Sequence, residues 1–233
     1  MTGPAPAGAA PARPAEFLDR LSESDRAELI RCGVRRDWAA GEVLFREGDR
    51  TEFVVILARG QVKVSCAIEA GGEVLLAVRG PGTLLGEIAA IDGEPRSATV
   101  AALEPVSAIV VPFEDFSDYL MRHLDAAILL LRLVASRLRD ADRKRFEFGA
   151  FDITGRVAAR LVELAERFGS PVAEGVRIRM PLSQDELAAW TGASREAVAR
   201  ALRLMRANGW ISTGRKNVVI RDLPALRDRA QGG

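Results

Sequence analysis

The run LSQDELAAWTGASREAVARAL, Leu182 to Leu202, decides how the C-terminal part of this chain folds. Ser183 followed three residues later by Glu186 is a capping box and predicts a helix start. Leu187 and Trp190 give that helix an apolar face, and Gly192 sits where a tight turn is needed. Ser194 caps a second helix with Val198, Leu202 and Met205 on its buried side and Arg195, Glu196 and Arg200 in its first turns. Asn208-Gly209 ends it. This is the pattern of a helix-turn-helix with polar groups near the start of the second helix. Trp210-Ile211-Ser212 and Val218-Val219-Ile220 then flank Thr213 to Asn217 as a hairpin wing that carries Arg215 and Lys216. The plain alternative is a helical hairpin with exposed charges.

Upstream, Asp152 predicts the cap of a helix from Ile153 to Phe168, closed by Gly169 and Pro171, and a short strand pair follows around Val176 to Met180. Between Phe113 and Phe148 there is neither glycine nor proline, which predicts one or two helices. Leu124, Ile128, Leu131, Ala135 and Leu138 follow 4-3-4-3 spacing, and Ala127, Leu131, Val134, Leu138 and Ala141 form an overlapping seam. Such a seam either pairs with its twin or packs on its own domain.

From Val34 to Val111 short β-rich runs (Val43–Phe45, Phe53–Leu57, Val62–Val64, Val74–Val78, Ala108–Val111) alternate with turn signals at Gly41, Gly48-Asp49, Gly60, Gly71-Gly72 and Pro81-Gly82. Many short strands at this spacing predict a jelly roll or barrel. Before them, residues 15–33 predict an amphipathic helix on Phe17, Leu18, Leu21, Leu29 and Ile30, with Ser22 or Ser24 capping its second turn and Gly33 ending it. Residues 1–14, rich in Pro, Ala and Gly, predict a disordered tail.

The 233 residues carry 33 Lys+Arg and 32 Asp+Glu; residues 153–233 hold 14 and 8 of these, so a net +6 there sits on a net −5 upstream. The basic C-terminal third suits a polyanion partner or a solvated basic surface. Two cysteines, Cys32 and Cys66, and one histidine, His123, exclude a disulfide scaffold, a four-cysteine cluster and a zinc finger. His123 reads as a surface or satisfied residue rather than a haem ligand, and Trp38 and Trp190 read as packing residues. No run approaches the roughly 18 apolar residues of a membrane span, and the N-terminus lacks a secretion signal, so a cytoplasmic protein without a membrane partner is expected. No Ser/His/Asp arrangement or carboxylate pair suggests an enzyme.

One further stretch carries chemistry: Gly80-Pro81-Gly82-Thr83-Leu84-Leu85-Gly86-Glu87-Ile88-Ala89-Ala90, followed by Pro95-Arg96-Ser97-Ala98-Thr99-Val100. A glycine turn running into one helical turn leaves backbone N–H groups that bind anions. Arg96 adds a fork and Ser97 a hydroxyl for a phosphate, while the Glu87 carboxylate suits a sugar hydroxyl. Together they read as a phosphate-plus-ribose site, although most glycine turns merely connect strands.

Gly86-Glu87-Ile88-Ala89 with Pro95 to Val100 resembles the phosphate-binding cassette of cyclic-nucleotide-binding domains. Gly41 to Asp49 and Gly60 to Val64 resemble the early strands of that domain. With the C-terminal motif, the chain resembles the CRP/FNR family of bacterial transcription regulators from about Phe17 to Leu223. The resemblance implies an α+β fold: a β jelly-roll cyclic-nucleotide-binding domain over residues 15–122, a dimerisation helix over 123–148, a hinge at 149–152 and a winged helix-turn-helix over 153–228. It implies Glu87 on the ribose, Arg96 and Ser97 on the cyclic phosphate, and the amides of Gly86, Glu87, Ile88 and Ala89 on the same phosphate. It implies that Arg195, Glu196 and Arg200 read base edges, Arg with guanine and Glu with cytosine N4. Ser183, Gln184, Ser194, Arg215 and Lys216 then hold phosphates of double-stranded DNA. A homodimer and RNA polymerase are the implied protein partners.

The alignment of Phe151 to Arg156 with the family's hinge puts Ala141 and Asp142 where the cyclic-AMP receptors carry a Thr-Ser pair. Ala141 offers no hydroxyl. Asp142 accepts from the adenine amino group, or from guanine N1–H and N2–H₂ together, or else pairs with Arg143, Arg145 or a partner-chain arginine and leaves the base unread. Cyclic AMP is the expected allosteric ligand, cyclic GMP the next, with no other cofactor.

Overall fold

A computed structural model of the chain describes residues 14–50, 52–69, 71–179, 182–214 and 217–232. The tail 1–13 and the residues Met180, Arg215 and Lys216 lie outside the described residues. The chain divides into two compact units, Ala15–Arg143 and, from Lys144 onward, a C-terminal one.

Among the described residues of the first unit, eight strands form two antiparallel sheets. They are β1 (Val34–Trp38), β2 (Val43–Phe45), β3 (Phe53–Arg59), β4 (Val62–Ala67), β5 (Glu73–Arg79), β6 (Leu84–Leu85), β7 (Thr99–Ala102) and β8 (Val106–Pro112). The sheet orders are β1-β8-β3-β6 and β2-β7-β4-β5, a jelly roll. The run Val54-Val55-Ile56-Leu57 is apolar without alternation because β3 is covered on both faces. Val55 and Leu57 meet Trp38, Phe45, Val100 and Val106 inside the roll. Val54 and Ile56 face a helical layer containing Leu29, Phe116, Tyr119, Ala126 and Leu130.

That layer comprises α1 (Glu23–Arg31), α3 (Phe113–Arg122) and the long α4 (Leu124–Ala150); the short α2 (Glu87–Asp92) lies between β6 and β7. The helix expected over 15–33 is broken. A 3-10 turn, Leu18–Arg20, is followed by Leu21 in extended conformation, and α1 starts only after Ser22, whose side chain accepts from the Asp25 amide. The serine cap wins because it satisfies an amide that a continuous helix would leave to water or the preceding turn. The glycine-free stretch 113–148 is two helices, parted at His123 (φ −122°, ψ 83°).

His123 is held locally. Its ring stacks on Tyr119 at 4.5 Å, and its two nitrogens lie 3.2 Å from carboxylate oxygens of Asp25 and Glu28 on α1. Among the described residues no group of three or more His, Cys, Asp or Glu side chains is placed to hold a metal, and no helix is long and apolar enough to cross a membrane.

The C-terminal unit contains α5 (Ile153–Phe168), β9 (Gly169–Val172), β10 (Gly175–Arg179), α6 (Gln184–Thr191), α7 (Arg195–Ala207), β11 (Ile211–Gly214), β12 (Asn217–Ile220) and α8 (Leu223–Arg229), with sheet order β11-β12-β10-β9. Asp152 caps α5 by accepting from the Gly155 amide. The last turns of α4 belong to this unit through polar contacts. Glu147 and Arg160 form a buried ion pair, Arg160 also donates to Glu163, and both Lys144 and Arg160 stand over the Trp190 ring. Arg156 donates to the carbonyls of Thr191, Phe148 and Phe151.

Two outcomes follow from these contacts. His123 holds the Glu28 carboxyl below its ordinary pKa, with a smaller contribution from Arg122. A depressed carboxyl stabilises the fold above its unfolded pKa and loses that contribution as pH falls through the lowered value. In Glu28→Gln, urea unfolding followed against pH is therefore expected to show a flatter acid limb, and an unchanged limb would mean that the ion pair contributes nothing. Arg160→Met removes the guanidinium that pairs with the buried Glu147 carboxylate and also bonds Glu163, and is expected to cost about 3–5 kcal/mol in the unfolding free energy of the C-terminal unit.

Candidate nucleotide pocket and DNA-binding surface

The pocket candidate is built around α2. Gly86 is its N-cap in the left-handed region (φ +80°), where a side chain is strained. A Cβ at Gly86 would also overlap the Arg96 guanidinium. The next residue, Glu87, is 1% exposed, and Ala89 is buried, while Ile88 faces out.

Arg96 is positioned by its backbone: its N–H donates to Asp49 O at 3.0 Å, and its carbonyl accepts from Gly48 N–H at 2.8 Å. These bonds pin it to the β2–β3 loop and send the side chain inward. The guanidinium is 2% exposed, donates to Gly86 O at 2.9 Å and to Phe53 O, and lies over the rings of Phe45, Phe53 and Phe113. Burial lowers its pKa to about 10, with Glu87 and Asp49 partly offsetting that. Ser97 is exposed beside it. The fold thus brings Gly86, Glu87, Ala89 and Arg96 together. Asp142 is an exposed residue of α4, with no side-chain hydrogen bond or ion pair among the described residues; Arg143 pairs with Asp140 instead.

One residue of the pocket was not anticipated. Arg137 of α4 donates to the Glu87 carboxylate and, at 2.6 Å, to Leu84 O. The signal was present in the spacing: Ala126, Leu130 and Leu133 line the face of α4 that packs on the roll, and Arg137 is the next position on it. The opposite face carries Leu124, Ile128, Leu131 and Leu138, 73%, 37%, 65% and 63% exposed. The seam is thus not the face that packs on the roll: Ala126, Leu130 and Leu133 take that place, and the 4-3-4-3 residues are left exposed.

In the C-terminal unit the capping box is complete: the Ser183 hydroxyl accepts from Glu186 N–H, and the Glu186 carboxylate accepts from Ser183 N–H. Gly192 ends α6 in the left-handed region (φ +58°), against the Phe148 ring. Ser194 caps α7 by accepting from Ala197 N–H. Ala197, Val198, Ala201, Leu202 and Met205 are buried, so Arg195, Glu196, Arg200 and Arg203 share the outward face. The bond from its own backbone N–H, then that with the Ser194 hydroxyl and the nearby Arg195 and Arg200, hold the Glu196 carboxyl below its ordinary pKa, as an acceptor. Gln184 is exposed at the start of α6. Arg206 donates to Thr213 Oγ1 and ties the end of α7 to the wing.

A jelly roll with this cassette and a winged helix-turn-helix define a class: a sensor domain joined to a DNA-binding domain. Residues 35–123 match the cyclic nucleotide-binding domain, and residues 155–229 match the Crp-like helix-turn-helix domain. The chain is 32% identical over 195 residues to the CRP-like cAMP-activated global transcriptional regulator of Mycobacterium tuberculosis, spanning 84% of this chain and 87% of that protein. It is 31% identical over 198 residues to the cyclic AMP receptor protein of Thermus thermophilus, spanning 85% and 88%. FixK2 from Bradyrhizobium japonicum shares the fold, with a TM-score of 0.76 at 22% identity over 84% of this chain and 96% of that one. The chain belongs to the CRP/FNR family of DNA-binding transcription regulators.

The ion pair carries a consequence for stability. Arg137→Met leaves Glu87 buried without its cation, and is expected to destabilise the first unit by about 3 kcal/mol or more, measured by urea unfolding. A double variant that also carries Glu87→Leu is expected to regain most of that loss.

Proposed function

We propose that the protein is a homodimeric transcription regulator whose affinity for a pseudo-palindromic operator is switched by a cyclic nucleotide, with cyclic AMP favoured over cyclic GMP. The observation that carries the reading is the Arg137–Glu87 ion pair, because it joins the pocket to the helix that bears the seam. In this reading the phosphate lies against Arg96, Ser97 and the amides of Gly86 to Ala89, and the ribose against Glu87. Any ligand that alters the hold of Glu87 on Arg137 alters α4. The seam Leu124, Ile128, Leu131, Ala135 and Leu138 pairs with its twin in a second copy, and Asp142 continues the same spacing at the position that reads the base. The relatives from Mycobacterium tuberculosis and Thermus thermophilus, both named for cyclic AMP, support that ligand.

Two recognition helices then enter successive major grooves about 34 Å apart. Arg195, Glu196 and Arg200 read base edges, while Ser183, Gln184, Ser194 and the wing residues Arg215 and Lys216 hold phosphates. Residues 149–152 act as the hinge between a sensor over 15–122 with its helix 123–148 and a DNA-binding domain over 153–228. The protein works in the cytoplasm, and RNA polymerase is the further partner.

A second reading, DNA binding without a ligand, is favoured by one observation. Arg96 is already bonded to Gly86 O and Phe53 O, and Glu87 to Arg137, so these groups find protein partners without a nucleotide.

The discriminating experiment is calorimetry of nucleotide-stripped protein with cyclic AMP and cyclic GMP, followed by DNA affinity with and without each. The switch is expected to change DNA affinity by about 5–150-fold. Arg96→Ala should abolish nucleotide binding, Glu87→Ala should weaken it less, and Asp142→Ser should change the preference between the two bases. Arg195→Ala or Arg200→Ala should cost about 1–3 kcal/mol on the operator and relax the matching base. DNA affinity indifferent to both nucleotides would select the second reading.

A further inference from the structure

Helices α6 and α7 carry the carboxylates Asp185, Glu186 and Glu196, all in their first turns. Glu186 is turned back on the Ser183 backbone N–H in the capping box. Glu196 accepts from its own backbone N–H and from the Ser194 hydroxyl. Both serve the start of the helix on which they stand. The Asp185 carboxylate instead faces across to α7, where its Oδ2 lies 3.7 Å from Nη1 of Arg195.

The side chains of this pair are 62% and 69% exposed, so the pair adds little to the stability of the fold. It also sets a negative charge beside a helix that is to meet a polyanion, which weakens the attraction to every nearby phosphate. What the contact does supply is orientation. A long, exposed arginine samples many rotamers, and fixing it on binding costs entropy. The guanidinium is planar and carries donors at Nε, Nη1 and Nη2. With Nη1 turned to Asp185, Nε and Nη2 remain as a fork on one edge, the shape that matches O6 and N7 of guanine. Arg200 is the contrast, an exposed arginine with no side-chain hydrogen bond or ion pair among the described residues.

We propose, resting on the base-reading role given to Arg195 above, that Asp185 is a positioning residue for recognition. It holds the Arg195 guanidinium in the orientation that reads one guanine of each half-site. It thereby sharpens the choice of base at that position while lowering the attraction to DNA in general.

The test uses an operator selected from a randomised pool, a set of duplexes with one base pair at a time changed in both half-sites, and a scrambled duplex. Wild type, Asp185→Asn, Asp185→Glu, Arg195→Ala and the Arg195→Ala/Asp185→Asn double variant are titrated on each at one salt and nucleotide concentration, with thermal melting confirming the fold. The readout is a ratio of affinities of one protein for two duplexes, so a general change in DNA affinity or in the nucleotide response cancels. A bidentate arginine prefers guanine by roughly 5–150-fold. At the position that Arg195→Ala relaxes, Asp185→Asn is expected to lose at least about three-fold of that preference. The preferences at the other positions should be unchanged, and affinity for the scrambled duplex should rise. Asp185→Glu keeps the carboxylate and should keep the preference. In the absence of the Arg195 side chain, Asp185→Asn should alter no preference.

An unchanged preference in Asp185→Asn would overturn the proposal and leave the carboxylate to the positive end of α6. Equal loss at every position would overturn it in favour of a shift of the whole recognition helix. An effect that persists in the double variant would overturn it in favour of a direct contact between Asp185 and DNA. If Arg195→Ala alone relaxes no position, the base-reading role of Arg195 fails and the proposal fails with it, a result seen in that single variant.

Discussion

A carboxylate that is 1% exposed must find a positive partner, and Glu87 finds it in Arg137 of α4. This requirement fixes much of the first unit. It sets the rotation of α4 about its axis, because Arg137 must point at the roll. Ala126, Leu130 and Leu133 then share that face, and Leu124, Ile128, Leu131 and Leu138 are turned outward. An apolar seam exposed in one chain is a direct result of a polar bond made on the other side of the same helix. The candidate site at α2 and the seam are therefore not independent features.

Arg96 shows a second side of the same principle. Its guanidinium is taken out of water and lies over three phenylalanine rings, a setting that lowers its pKa to about 10. A planar, weakly hydrated cation tolerates such a place better than an ammonium would. Gly86 is favoured by its left-handed backbone, and a Cβ there would also push the Arg96 guanidinium from its place.

In the C-terminal unit the constraint is again a buried charge. Glu147 on the last turns of α4 and Arg160 on α5 pair beneath Trp190, while Arg156 collects carbonyls from Phe148, Phe151 and Thr191. These bonds hold the segment around residues 149–152 against the first helix of the helix-turn-helix. Among the described residues, Arg177, Arg179, Arg200 and Arg203 are exposed cations outside these bonds and add to the positive surface of the unit.

Local chemistry was enough to read the helix-turn-helix. Capping by Ser183, Ser194 and Asp152, and the stop at Gly192, depend on side chains within a few residues of the backbone groups they satisfy. The strands with apolar runs were legible for the same reason, whereas β1, with the sequence VRRDW and only Trp38 buried, and the two-residue β6 carry no periodic signal. The break at Leu21 was hidden because the apolar residues Phe17, Leu18, Leu21, Leu29 and Ile30 read as one continuous pattern. What only the tertiary structure decided is pairing across the chain. The pairing of Glu87 with Arg137, 50 positions apart, the inward turn of Arg96 and the division of α4 into a packed and an open face all arise when distant segments compete for the same buried volume. A pattern of residue types shows which groups need partners; the packed fold decides which partners they get.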